Sequence, residues 1–226
     1  MRFLIALLLL STPAWPDSPR ILFVLTSHGQ LGDTGRPTGF YLSEVTHPYE
    51  YLSGKGYAID FVSPQGGEPP VDGVKLDDPI NQKLYDDPVF RQKLKTTLRP
   101  DQVDPDQYAA IFFAGGHGTM WDLPGNEQLA AITRAIYLKD GVVAAVCHGP
   151  AGLLNVRLPD GSFMIAGQAV TGFSNSEERS VGLENVSLRL SVGSWTAGAG
   201  GRLPAGYFLN QVRYGSVAGC QRSNQG

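Results

Sequence analysis

The stretch Gly141-Val142-Val143-Ala144-Ala145-Val146 carries no polar side chain and stops at Cys147-His148-Gly149-Pro150. A run of small and β-branched residues without polar alternation has no solvated face, so it fits a strand covered on both sides, as in a parallel sheet between helical layers. Proline suits the first helical turn, so Pro150-Ala151-Gly152-Leu153-Leu154 is predicted to start a helix. Strand, tight turn and helix in that order place Cys147 on an elbow at the carboxyl end of a strand. There the amides of the following helix can lower a thiol pKa and hold an oxyanion. The alternative is a buried, inert cysteine. The adjacent imidazole, a potential base, favours the reactive one.

The rest of the chain repeats the strand-helix alternation. Arg20 to Thr26 reads as a strand followed by the loop Ser27-His28-Gly29-Gln30, and Phe40 to Leu52 as a helix that Pro48 should kink or tighten. Tyr57 to Val62 is the next strand, completing a βαβ unit of a parallel sheet. Ser63 to Asp78, rich in Pro, Gly and Asp, reads as a surface excursion, and Asp86 to Leu98 as a polar helix. Tyr108 to Ala114 is a buried strand ending in Gly115-Gly116-His117-Gly118-Thr119. Glu127 to Lys139 is a helix leading to the strand before Cys147, and Ala169-Val170-Thr171 reads as a further strand. The predicted fold is α/β: a doubly wound parallel sheet with helices on both faces and its site along the carboxyl edge.

A chain of 226 residues suffices for one well-buried α/β domain. A formal charge of −3 and a pI near 5.8 supply no basic field, which argues against nucleic acid and anionic lipid as partners. Met1-Arg2, the apolar run Phe3 to Leu10 and the small-residue segment Ser11-Thr12-Pro13-Ala14 read as a secretory signal over residues 1–16. The expectation is a periplasmic or secreted protein, without a membrane span in its mature form. The alternative is a cytoplasmic chain with that run as a first strand, although Ile21 to Leu25 already fills the role. Two cysteines, Cys147 and Cys220, make no disulfide framework.

Candidate chemistry gathers at the strand ends. Gly115-Gly116-His117-Gly118 lets backbone amides approach a ligand and point at a developing oxyanion, and a tight turn is the equal alternative. Glu44 lies on the first helix, where desolvation could raise its pKa and make it a proton donor beside a thiolate; a solvated helix carboxylate is the other reading. His148 needs an orienting acid to pair with Cys147. Glu177, Glu178 and Asp122 compete for that role, Asp122 fitting better as a turn residue in a lid over the pocket. No metal is expected, because His28, His47 and His117 lack a recognisable ligand spacing.

Four ordered motifs resemble the ThiJ/PfpI superfamily of the class I glutamine amidotransferase-like fold, in its branch of stress chaperones with glyoxalase III activity. They are Thr38-Gly39-Phe40-Tyr41-Leu42-Ser43-Glu44-Val45-Thr46-His47-Pro48-Tyr49, the segment Phe112 to Pro124 around Gly115-Gly116-His117-Gly118, Val143 to Pro150 around Cys147, and Val170-Thr171-Gly172-Phe173-Ser174-Asn175-Ser176-Glu177-Glu178. The resemblance implies a flavodoxin-like domain over 20–190, with Cys147 as nucleophile and Glu44 as the acid on its sulfur. It further implies that His148 is the triad histidine and Glu178 its acidic partner. It implies isomerisation of methylglyoxal or glyoxal to a hydroxy acid through a hemithioacetal and an enediol, with no cofactor and no glutathione, and a possible homodimer. A cysteine peptidase or amidase and a non-catalytic holdase or inactive remnant are the competing readings.

The family pattern breaks towards the end. Residues 191–226, including Ser191-Val192-Gly193-Ser194-Trp195, have neither helical nor strand periodicity, where the family continues with a closing loop and helix. The expectation is an atypical tail, either read from a shifted frame or disordered. A clean, uninterrupted frame in independent isolates of the gene would overturn the first of these.

Overall fold

Alternate residues of the first strand face opposite sides of a sheet, and both sides are covered. The computed structural model describes residues 18–168 and 170–186. In chain order the elements are β1 (Arg20–Val24), β2 (Phe40–Tyr41), α1 (Leu42–Ser53), β3 (Ala58–Val62), β4 (Val71–Asp72), α2 (Pro79–Asp86) and α3 (Pro88–Lys95). They continue with β5 (Tyr108–Phe113), α4 (Thr119–Asp122), α5 (Glu127–Leu138), β6 (Val142–Ala145) and α6 (Asn175–Ser180).

Four strands pair in the order β3-β1-β5-β6, all parallel. Ile21, Phe23 and Leu25 pack with Ile59 and Phe61 against Leu42 and Val45 of α1, Leu84 of α2 and Phe90 of α3. On the opposite face Leu22, Val24, Ile111, Phe113 and Val143 meet Leu129, Ile132 and Ile136 of α5. The doubly wound α/β architecture is therefore as predicted, with the strand period of two dividing one sheet between two cores. After β3 the chain returns to the other side of β1 to form β5. This reversal opens a crevice at the carboxyl ends of β1 and β5, where ligands bind in open α/β sheets.

Local differences from the predicted elements have identifiable causes. The polar helix predicted over Asp86 to Leu98 is α3, capped by Asp87 with Pro88 at its first position, and Asp78-Pro79 supplies the same signal to a further helix, α2, which is not among the predicted elements. Asp78 Oδ1 accepts from the Ile80 and Asn81 amides, and Asp87 Oδ1 from Val89 and Phe90. The excursion is pinned by β4, which pairs in parallel with β2. Phe40 and Tyr41 therefore belong to this ribbon, and α1 begins at Leu42 and continues through Pro48. The segment after the elbow is a 3-10 helix, Gly149–Leu153, instead of an α-helix. Val170 and Thr171 form no strand, and Ala169 lies outside the described residues. The proposed signal segment 1–16 and the tail 191–226, with Cys220, also lie outside them.

Candidate active site

Cys147 has a φ of 55°, in the left-handed region that costs an L-residue about 1 kcal/mol. Three backbone bonds hold it there. The Val146 amide donates to the Phe113 carbonyl (3.1 Å), the Gly149 amide to Val146 (2.7 Å), and the Phe173 amide to the Cys147 carbonyl (2.8 Å). A Cβ at Gly149 would lie 2.3 Å from the Phe113 carbonyl oxygen, so the chain can leave the elbow this close to β5 only as glycine. The predicted nucleophile elbow is present.

The Cys147 sulfur lies 3.1 Å from Nδ1 of His148, whose Nε2 is 2.7 Å from Oε1 of Glu178. Phe173 stacks on the imidazole with ring centres 4.5 Å apart. The choice between adjacent glutamates follows from helix capping. Ser174 caps α6, its hydroxyl accepting from the Glu177 amide while Glu177 Oε2 accepts from the Ser174 amide (2.7 Å). With Glu177 spent outside, Glu178 turns inward and is buried. Burial alone would raise its pKa, but hydrogen bonds from His117 and His148 outweigh it and hold the carboxyl at about 2. Burial also lowers the pKa of His148, against the opposing pull of Glu178, which keeps the ring a neutral base. Asp122 is committed elsewhere: it accepts from the Thr26 hydroxyl and the Ser27 amide, both at 2.7 Å, tying α4 to the loop after β1.

Glu44 comes from the first turn of α1 and meets the thiol across the crevice. Burial raises its pKa, partly offset by hydrogen bonds from the Gly115 amide (2.7 Å) and the Cys147 side chain. The thiol is pushed well above its ordinary range by burial and by the Glu44 charge, against the amides of Gly116 and His148, which point at the sulfur. The sequence-based expectation of a lowered thiol pKa is thus corrected. The amides are in place, but desolvation and a neighbouring carboxylate outweigh them. Two adjacent anions are unfavourable, so Glu44 and the thiol resist being ionised together.

The glycine-rich loop divides its labour. Gly115 holds Glu44; a Cβ there would come within 2.6 Å of Oε2 of Glu44 and 2.7 Å of the Cys147 Cβ. Gly116 offers its amide to the sulfur. His117, expected as an oxyanion or substrate contact, places Nε2 3.1 Å from Oε2 of Glu178, its ring 4.2 Å from that of His148. Donor atoms of His117, His148 and Glu178 all lie within 4.8 Å of one another, so two imidazoles and a carboxylate gather where no local spacing announced a ligand set. The carboxylate shared by two imidazoles was missed in sequence because its members lie in three separate segments.

Residues 37–181 match the DJ-1/PfpI family. The chain is 33% identical over 174 residues to "Glyoxalase 3" of Candida albicans, covering 74% of each protein. It is 32% identical over 186 residues to "Glutathione-independent glyoxalase HSP31" of Saccharomyces cerevisiae, covering 74% of this chain and 73% of that one. The X-ray structure of Francisella tularensis Rapid Encystment Protein 24 KDa matches with a TM-score of 0.74 at 42% identity, over 80% of this chain and 82% of that one. The crystal structure of glyoxalase III from Candida albicans matches with a TM-score of 0.72 at 30% identity, over 79% and 81%.

Proposed function

This chain belongs to the DJ-1/PfpI family, and from that premise we propose that it is a glutathione-independent glyoxalase, a lyase-type enzyme that converts an α-oxoaldehyde such as methylglyoxal to a 2-hydroxy acid with Cys147 as nucleophile. The observation that carries the reading is Glu44 against the Cys147 sulfur. Acyl transfer by a cysteine, histidine and glutamate triad does not require a carboxylic acid on the sulfur, whereas moving protons between a substrate's oxygens does.

In this reading His148 Nδ1 accepts the thiol proton as sulfur adds to the aldehyde carbon and passes it to the new alkoxide, which becomes the hydroxyl of the hemithioacetal. Glu178 keeps the imidazole in the required tautomer. The Gly116 and His148 amides, already aimed at sulfur, serve the adjacent oxyanion. A hemithioacetal rearranges through an enediol to a thioester, which water releases as the hydroxy acid. One substrate carbon is oxidised and its neighbour reduced, so the redox balance closes within the substrate. Export by the segment 1–16 and assembly as a homodimer belong to the same proposal.

The test is lactate formation from methylglyoxal by the full chain without glutathione, beside Cys147→Ser and Glu44→Gln. Turnover in the parent and its loss in both variants is expected. A folded parent that makes no lactate would return the assignment to an amidase or a holdase.

A further inference from the structure

Isomerisation of an α-oxoaldehyde needs a base that reaches carbon as well as one that serves sulfur, and His148 is fully engaged. Its Nδ1 lies on the Cys147 sulfur, its Nε2 on Glu178, and its side chain is only 3% exposed. Glu44, whose pKa burial raises, is suited to carry a proton to substrate oxygen. The second imidazole has the remaining capacity. His117 is held by Nε2 on Oε2 of Glu178, mirroring the bond His148 makes to Oε1. A carboxylate acceptor fixes the proton on Nε2 and leaves the lone pair on Nδ1. Among the described residues, no hydrogen bond is made by His117 Nδ1. The His117 side chain is 16% exposed, lies near enough to Glu44 to interact with it, and follows Gly116, whose amide points at the sulfur.

We propose that His117 is a second catalytic base, carrying the carbon-bound proton of the Cys147 hemithioacetal between the two substrate carbons, while Glu178 orients both imidazoles. This rests on the glyoxalase reading. In the first half, His117 Nδ1 takes the hydrogen of the former aldehyde carbon. The C–H electrons form the carbon–carbon double bond, and the ketone oxygen takes a proton from Glu44 to give an enediol. In the second half, His117 returns its proton to the former ketone carbon as Glu44 takes back the hydroxyl proton of the sulfur-bearing carbon, leaving a thioester. The aldehyde carbon is oxidised, the ketone carbon is reduced, and both residues recover their starting protonation.

The test uses the full chain with His117→Gln, whose side-chain amide can still donate to Glu178 but has no base. Lactate turnover is expected to fall by about 100-fold or more, the range for removing a general base. Alkylation of Cys147 by iodoacetamide, which reports on His148 and the thiol, is expected to match the parent. Parent-like turnover in His117→Gln overturns the proposal. If alkylation is lost as well, His117→Gly with added imidazole decides: restored turnover upholds the base, and no restoration leaves His117 a positioning residue and overturns it. A parent that alkylates but makes no lactate overturns the glyoxalase reading, and this inference with it, whereas lactate from parent and His117→Gln alike overturns this inference alone.

Discussion

At the amino edge of the sheet Asp60 lies between Arg20 and Lys93 and accepts from the Tyr108 hydroxyl at 3.1 Å, so its charge is met by two cations and a phenol. At the carboxyl edge Glu44 and Glu178 have no Lys or Arg in ion-pair contact among the described residues; their neighbours are a thiol, two imidazoles and backbone amides. Both edges shift proton affinities. At the amino edge burial and Asp60 push Tyr108 up to about 12, outside any working range, which locks the proton in place. At the carboxyl edge the groups shift one another, and protons can be exchanged among them. Strong perturbation marks both places, and the absence of a compensating cation distinguishes the reactive one.

The contrast breaks most sharply at sulfur. Cys147→Ser should lower lactate formation by about a thousandfold or more, measured as turnover without glutathione, because a hydroxyl in this buried setting is a far weaker nucleophile. Glu178→Gln should cost about 100-fold or more in turnover, since an amide cannot hold both imidazoles with Nε2 as donor. Thermal unfolding checks the same residue. Its folded pKa is depressed from 4.5 to about 2, so its stabilisation is present above 4.5 and fades as pH falls towards 2, and the variant should lose that dependence.

Glu44→Gln sharpens the comparison through pH. Burial and the Glu44 charge both raise the thiol pKa, so removing the charge should move the midpoint of Cys147 alkylation to lower pH while burial keeps it above that of an ordinary thiol. A midpoint that rose instead would mean that Glu44 acts mainly as a donor to the thiolate. The smallest effect belongs to the amino edge. Tyr108→Phe should reduce unfolding free energy by about 1 kcal/mol, from one lost hydrogen bond, and leave lactate turnover at the parent level.

What the sequence made legible was local. The apolar run stopping at Cys147 announced the elbow, and the Gly115 to Gly118 cluster announced a loop at the end of β5, because strand composition and turn chemistry act over a few residues. Glu44 could be named as a candidate, but its anchor is the Gly115 amide, 71 residues away. The sharing of Glu178 by His117 spans 61 residues and depends on Glu177 being used as a cap. The 3-10 geometry after Cys147 was hidden because Pro150 suits the first turn of either helix type, while the Gly149 packing against Phe113 is a tertiary contact. The Asp-Pro signal before α3 sits at the start of the predicted polar helix, whereas the same signal before α2 was readable but masked by the Pro-, Gly- and Asp-rich segment that precedes it.

The most direct measurement is peptide-mapped mass spectrometry of the full chain acid-quenched during turnover of methylglyoxal. The account predicts an increase of one methylglyoxal unit on the peptide carrying Cys147, absent from Cys147→Ser and decaying as lactate accumulates. Lactate production with Cys147 unmodified and the Cys147→Ser variant still active would contradict it.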